Sequence, residues 1–318
     1  MAHMTTGWSR RGLLRTAAAC GAAAVAASLP AARPGFAWPL GVQLWSVNDE
    51  LARDVDGTLR RLGELGFREI ELAGLHGRTP AAFRAAAMRA TLRPIGAHYA
   101  MADLLTDPAR CIGEARDVGA RWLIVAAPKP DRPLASGVDW LVAMRAAMTA
   151  EAWQRNADAL NGLATRARAA GLMLAYHNHP IEFAPYDGRR GIDILLAATD
   201  PALVKWELDV AWATAGGDDP VALLHDHRDR IRLLHAKALK AKPAPGAYGT
   251  NFATGIIGQD DVIDWHKVIA AARGSVEHVF IEQEPPHLVP VMTALARCRD
   301  GLGAGGSYQS SGRSRPMR

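Results

Sequence analysis

The chain is poor in cysteine, with three in 318 residues. Cys20 lies near the start. Cys111 and Cys298 fall in separate predicted helices and lack metal-ligand spacing, so no disulfide framework is expected. No Gly-x-Gly-x-x-Gly follows the first apolar run, which weighs against a dinucleotide-binding fold, and no Walker-type phosphate loop occurs. No Pro/Gly/Ser-rich linker divides residues 40–300, so nothing splits the body into two domains. The alanine-rich stretch that ends near Ala27 is too short and too weakly hydrophobic for a comfortable membrane span.

Acid is missing from both ends. Residues 1–37 carry Arg10, Arg11, Arg15 and Arg33, and residues 301–318 carry Arg313, Arg315 and Arg318, with no carboxylate in either segment. Setting these seven aside leaves 30 basic against 32 acidic residues, a body of −2. The formal net charge of +5 therefore belongs to the termini, and no basic patch argues for nucleic acid. Met1–Met4 (MAHM) reads as a cloning scar ahead of a native start at Met4. Ser9-Arg10-Arg11-Gly12-Leu13-Leu14-Arg15, with the apolar stretch after it and small residues around Leu29–Ala32, resembles a twin-arginine export signal. That resemblance implies passage through the twin-arginine translocase to a periplasmic or secreted location. The alternative is a basic helix start on a cytoplasmic enzyme.

Between the ends, short apolar runs alternate with helical periods. The runs are Gly41–Trp45, Glu69–Leu72, Pro94–His98, Trp122–Ala126, Leu172–Tyr176, Leu203–Leu208, Ile231–Leu234 and Val279–Ile281. Helical spacing marks Asp54–Leu65, Thr79–Ala90, Asp107–Val118, Glu151–Ala170, Gly191–Ala198, Asp219–Arg228, Val262–Arg273 and Leu288–Arg299. Eight strands alternating with eight helices predict an α/β chain with a parallel sheet, closed as a single-domain (β/α)8 TIM barrel over residues 38–300. The Gly/Ser/Arg-rich segment 301–318 is expected to be a disordered tail.

Four of these runs lead into Glu182, Asp209, His235 and Glu282. Strand ends of a barrel converge on one mouth. Three carboxylates and an imidazole meeting there would repel one another unless a divalent cation held them, so the pattern suggests a metal site. Other polar groups stand close by in sequence. His98 ends the third run, where a structural histidine is as common as a functional one. His177 and His179 share a strand face and belong to a cluster of polar groups, with a hydrogen-bonded turn as the bland reading. Glu207 fits an outer partner or an internal salt bridge. Lys237 could steady an oxyanion or simply balance charge. Glu284 is either an outer partner or solvated. Trp45, Phe183 and Trp212 could stack on a sugar ring or pack in the core.

Specific motifs then stand out: GVQLWSV at 41–47, HNHPIEF at 177–183, WELDVAW at 206–212, HAK at 235–237, IDW at 263–265 and IEQE at 281–284. On them the body resembles the sugar phosphate isomerase/epimerase family of xylose isomerase-like TIM barrels, from first strand to eighth. The resemblance implies one divalent metal held by Glu182, Asp209, His235 and Glu282, with Mn2+ or Mg2+ first and Co2+ or Zn2+ as alternatives. It also implies proton abstraction beside a sugar carbonyl through a metal-stabilised enediolate, with Glu182 and Glu282 moving the proton. His98, His177, His179, Trp212 and Lys237 become substrate-binding candidates. Three departures qualify the transfer: Ala238 replaces a common Asp, Gly258–Trp265 lacks a Gly-Glu-Gly, and Trp212 stands where ketose epimerases place a His. Export would favour a non-phosphorylated sugar. The alternatives are a lyase or hydratase acting by β-elimination on 3-keto-glycosides and a non-catalytic sugar-binding barrel, and a homo-oligomer is allowed. An abasic-site endonuclease on the same barrel is disfavoured by the near-neutral body.

Overall fold

Continuous apolar runs bounded by turn residues do form strands. The computed structural model describes residues 38–304, apart from 245, 249–252 and 288. The strands are β1 (Leu40–Gln43), β2 (Glu69–Leu72), β3 (Arg93–Ala100), β4 (Trp122–Ala127), β5 (Met173–His177), β6 (Val204–Asp209), β7 (Ile231–Ala236) and β8 (His278–Ile281). Each pairs in parallel with its sequence neighbour, and β8 pairs with β1, so the sheet closes as a barrel. The export motif and the tail beyond 304 lie outside the described residues.

Alternation along each strand sorts side chains to two faces. Leu123 and Val125 of β4, Leu174 of β5, Leu234 of β7 and Val279 and Ile281 of β8 point outward into the large core beneath the helices. Their alternates Trp122, Ile124, Ala175, Leu233 and Phe280 join Ile95 in a separate apolar cluster inside the barrel. Below that layer, at the strand starts, Glu69 accepts from Arg93 at 2.8 Å and sits 2.8 Å from His278 Nδ1. Above it the inward rows turn polar, through Glu71, His98, His177, Glu207, Asp209, His235 and Glu282.

The helices start where short polar side chains cap them. Asp54, Thr79, Asp107 and Thr149 each accept a backbone N–H from the first turn, and Pro80 and Pro108 follow two of these caps. The eight expected helices are present, Gly191–Ala198 with the expected bounds and the others with shifted ends, and the last runs over Val291–Ala304, into the segment expected to be tail. Four further helices were not expected: Asn48–Arg53, Met101–Thr106, Trp140–Ala147 and Val210–Ala215. Met101–Thr106 and Val210–Ala215 begin directly at strand ends. A small hairpin pairs Pro185–Tyr186 with Arg189–Arg190 across Asp187-Gly188, both at positive φ, as a tight turn requires.

Candidate metal centre

The end of β6 places Asp209, and adjacent β7 places His235 directly opposite it in register. Glu282 follows β8 and His177 ends β5. Donor atoms of His177, Asp209, His235 and Glu282 lie within 4.8 Å of one another, and all four residues are buried. His235 Nδ1 is 3.0 Å from Glu282 Oε2 and 3.9 Å from Asp209 Oδ2. Asp209 divides its work. Its Oδ1 accepts the Trp212 N–H at 2.8 Å, capping helix Val210–Ala215, while its Oδ2 is buried without a hydrogen bond.

One ammonium stands among these groups. Lys237 Nζ lies 3.1 Å from Asp209 Oδ2 and 2.9 Å from Glu282 Oε2, and it donates to Glu284 Oε1 at 2.7 Å. It also sits 4.2 Å above the Trp212 ring. Burial penalises charge on Glu282, but Lys237 and His235 outweigh it and hold the carboxyl well below its usual pKa. Burial raises Asp209 despite Lys237. Burial and the neighbouring His235 push His177 down to about 3, which leaves its imidazole neutral, with the lone pair of its bare nitrogen available to ligate.

Beneath the mouth lies a second polar layer. His98 Nε2 is 2.9 Å from both Glu71 Oε2 and Glu207 Oε2. His235 Nε2 is 2.5 Å from Glu71 Oε2 and 3.3 Å from Glu207 Oε2. Burial disfavours a charge on His98, yet these carboxylates raise its pKa to about 9. A cavity of about 660 Å³ opens above, lined by His98, Tyr99, His177, His179, Glu282 and Glu284, with Trp45 at its rim.

Of the four residues expected to hold a metal, the structure brings together Asp209, His235 and Glu282, and sets Glu182 apart. Glu182 lies on a short 3-10 turn, Pro180–Phe183. Its Oε1 accepts the Tyr176 hydroxyl at 2.6 Å and its Oε2 the His179 N–H at 2.9 Å, so both oxygens are committed away from the cluster. His177, read from sequence as a substrate contact, takes the fourth position. His98 and His179 line the cavity as expected, whereas Trp212 is buried under Lys237, and Phe183 packs in the core. Sequence reading passed over Glu71. Its signal was available: Glu69 and Glu71 alternate with apolar residues in EIEL, which turns two carboxylates toward the barrel interior.

Comparison with known proteins agrees with this architecture. The model of the xylose isomerase-like TIM barrel family matches residues 14–288. An inosose dehydratase of Lacticaseibacillus casei is 28% identical over 159 residues, 46% of this chain and 53% of that protein. The chain thus matches about half the length of that relative. A sugar phosphate isomerase/epimerase from Parabacteroides distasonis superposes with a TM-score of 0.64 at 21% identity, covering 83% of this chain and 97% of the other. The IOLI protein with a binding zinc atom gives 0.61 at 14% identity, covering 86% and 99%. The chain belongs to the xylose isomerase-like TIM barrel family.

Proposed function

We propose that this chain is a divalent-metal-dependent enzyme that removes a proton beside the carbonyl of a polyhydroxylated ketone and completes the reaction by expelling water. The carrying observation is the buried convergence of His177, Asp209, His235 and Glu282, with Asp209 Oδ2 left without a hydrogen bond. Its nearest positive charge is Lys237 Nζ at 3.1 Å, which also serves Glu282 and Glu284, so three carboxylates share one ammonium and a further cation would offset the remaining charge. Two imidazoles and two carboxylates suit Mn2+, Co2+ or Zn2+ as well as Mg2+. A bound ion would polarise the ketone and acidify the neighbouring C–H.

The remaining steps fall to side chains around the cavity. His179 is held neutral, first by burial and then by His177 and Lys237, and its buried Nδ1 has no hydrogen-bond partner. It accepts the carbon-bound proton. His98, kept protonated by Glu71 and Glu207, gives its proton to the departing hydroxyl. The C–H electron pair forms the new double bond as the C–O bond breaks, and water leaves. Lys237 balances the charge that gathers on the ketone oxygen. This division of labour follows from environments that push two imidazole pKa values apart.

Elimination fits better than the epimerisation first expected. Epimerisation through two glutamates needs Glu182 and Glu282 on either side of one carbon, and Glu182 is bound to Tyr176 and His179 instead. Similarity to an inosose dehydratase supports the same choice. Isomerisation or epimerisation is the second reading, favoured by Glu282 lining the cavity, where it could return the proton. At the rim, Arg78 donates to Asp56 and Arg110 to Glu114, which supports a non-phosphorylated substrate. Export through the twin-arginine translocase, proposed from residues 9–27, is in keeping with that.

The test is incubation of metal-loaded protein with inosose, free ketoses and 3-keto-glycosides in D2O, followed by NMR. The expected result is loss of water from a ketone, with deuterium exchange at the carbon beside the carbonyl. Release of an aglycone would place the leaving group on the glycosidic oxygen. No exchange and no elimination across the panel, with metal bound, would leave a binding barrel and overturn the enzymatic reading.

A further inference from the structure

The mouth uses only one side of His235. Its Nδ1 faces Glu282 and Asp209, while its Nε2 faces down the barrel to Glu71 at 2.5 Å. Both His235 and Glu71 are wholly buried, and neither lines the cavity. Glu71 therefore touches no substrate. Its place depends on Gly96 of adjacent β3: a Cβ there would lie 2.7 Å from Glu71 Oε1 and 2.5 Å from Ile124 Cδ1. The fold leaves room for this carboxylate beneath the imidazole by keeping β3 bare. Glu207 reaches the same nitrogen at 3.3 Å; both carboxylates also face His98 at 2.9 Å, and Glu207 additionally contacts His177 at 3.3 Å. Among the carboxylates, Glu71 makes the shortest contact with His235.

A neutral imidazole carries one proton, and only the bare nitrogen can bind a cation. An acceptor fixed on one nitrogen settles which of the two is bare. We propose that Glu71 is a positioning residue that holds the proton of His235 on Nε2, so that Nδ1 presents its lone pair to the cation at the mouth. The inference rests on the reading of His235 as a ligand. It also explains the polar layer beneath the mouth, where Glu71 orients the ring and Glu207 keeps His98 and His177 in register with it.

The test combines zinc affinity, measured by chelator competition, with 15N NMR of histidine-labelled protein. In the zinc-loaded wild type, His235 is expected to bear its proton on Nε2 and to bind through Nδ1. Glu71→Ala is expected to weaken zinc binding by roughly 10–100-fold. Glu71→Gln, whose amide oxygen still accepts, is expected to recover most of that loss with Nε2 still protonated. The wild-type NMR result stands even if Glu71→Ala fails to fold. Coordination of His235 through Nε2 would overturn the proposal, as would Glu71→Ala zinc affinity within twofold of wild type. A second tightly bound zinc would also overturn it, because it would occupy the cluster of His98, His177, Glu207 and His235. His235→Ala keeps the two readings apart. If it leaves zinc binding unchanged, the metal centre itself is misread; if it abolishes binding while Glu71→Ala does not, only the role of Glu71 fails.

Discussion

His177 and Glu182 lie on one short stretch of chain, and either could supply the fourth donor by residue type. Local geometry separates them. A 3-10 turn swings Glu182 back onto Tyr176 and the His179 N–H, while strand pairing with Glu207 keeps His177 facing inward. His177→Ala should therefore lose more metal affinity than the roughly 10–100-fold typical of an outer partner. Glu182→Gln should stay within a few-fold of wild type, and chelator competition reads both. The two variants exchanging their effects would restore Glu182 to the ligand set. Glu182 has a further signature. Burial raises its pKa from 4.5 to about 8, against the opposing pull of the Tyr176 hydroxyl and of backbone N–H groups of the turn. The folded state thus holds this proton more tightly than the unfolded state. The stabilisation is full below about pH 4.5 and is lost as pH rises through about 8. In metal-free protein, Glu182→Gln should flatten the fall in melting temperature between pH 5 and pH 8. An unchanged slope would contradict the assignment.

Strands and long helices were legible in the sequence because their signals are local. Runs such as Trp122–Ala127 can lie only inside a covered sheet, and a threonine or aspartate before Pro80 or Pro108 fixes a helix start. The short helices after strand ends carry too few turns to show a period. Val210–Ala215 also reads as a continuation of the apolar strand before it, and only the Asp209 cap marks the change. Three of the four expected donors sit directly at strand ends, where sequence order and spatial position coincide. The fourth, Glu182, lies outside the cluster because a turn, not a strand, decides where it points. Glu71 has its shortest contact with His235, 164 residues away on β7, and its other with His98 on β3, so no local pattern marks it. The closeness of β2, β3 and β4 yields its own prediction. Gly96→Ala should destabilise the fold by about 1–3 kcal/mol in urea, since its methyl meets Ile124 and Glu71. It should weaken metal binding as well. A neutral outcome on both measurements would show that Glu71 can shift without consequence.

For the molecule as a whole, the family match extends over most of the chain. A ligand that binds only the folded state raises its stability, by about 2.7 kcal/mol at a hundredfold excess over its dissociation constant. For a barrel of this size that predicts a melting temperature about 5 °C higher with bound metal than after chelator treatment. An identical melting curve in both states would mean that no cation couples to folding here. Chelation should also abolish turnover, with activity returning when Mn2+, Co2+ or Zn2+ is added back. The barrel interior has one last consequence. Ile95, Trp122, Ile124, Ala175, Leu233 and Phe280 fill its waist, and Glu69, Arg93 and His278 close the strand starts below. Nothing can pass through that stopper, so reactant and product share one doorway. A product molecule must back out before the next reactant enters. Its inhibition should therefore be purely competitive, and added viscogen should slow turnover wherever that exit limits the cycle.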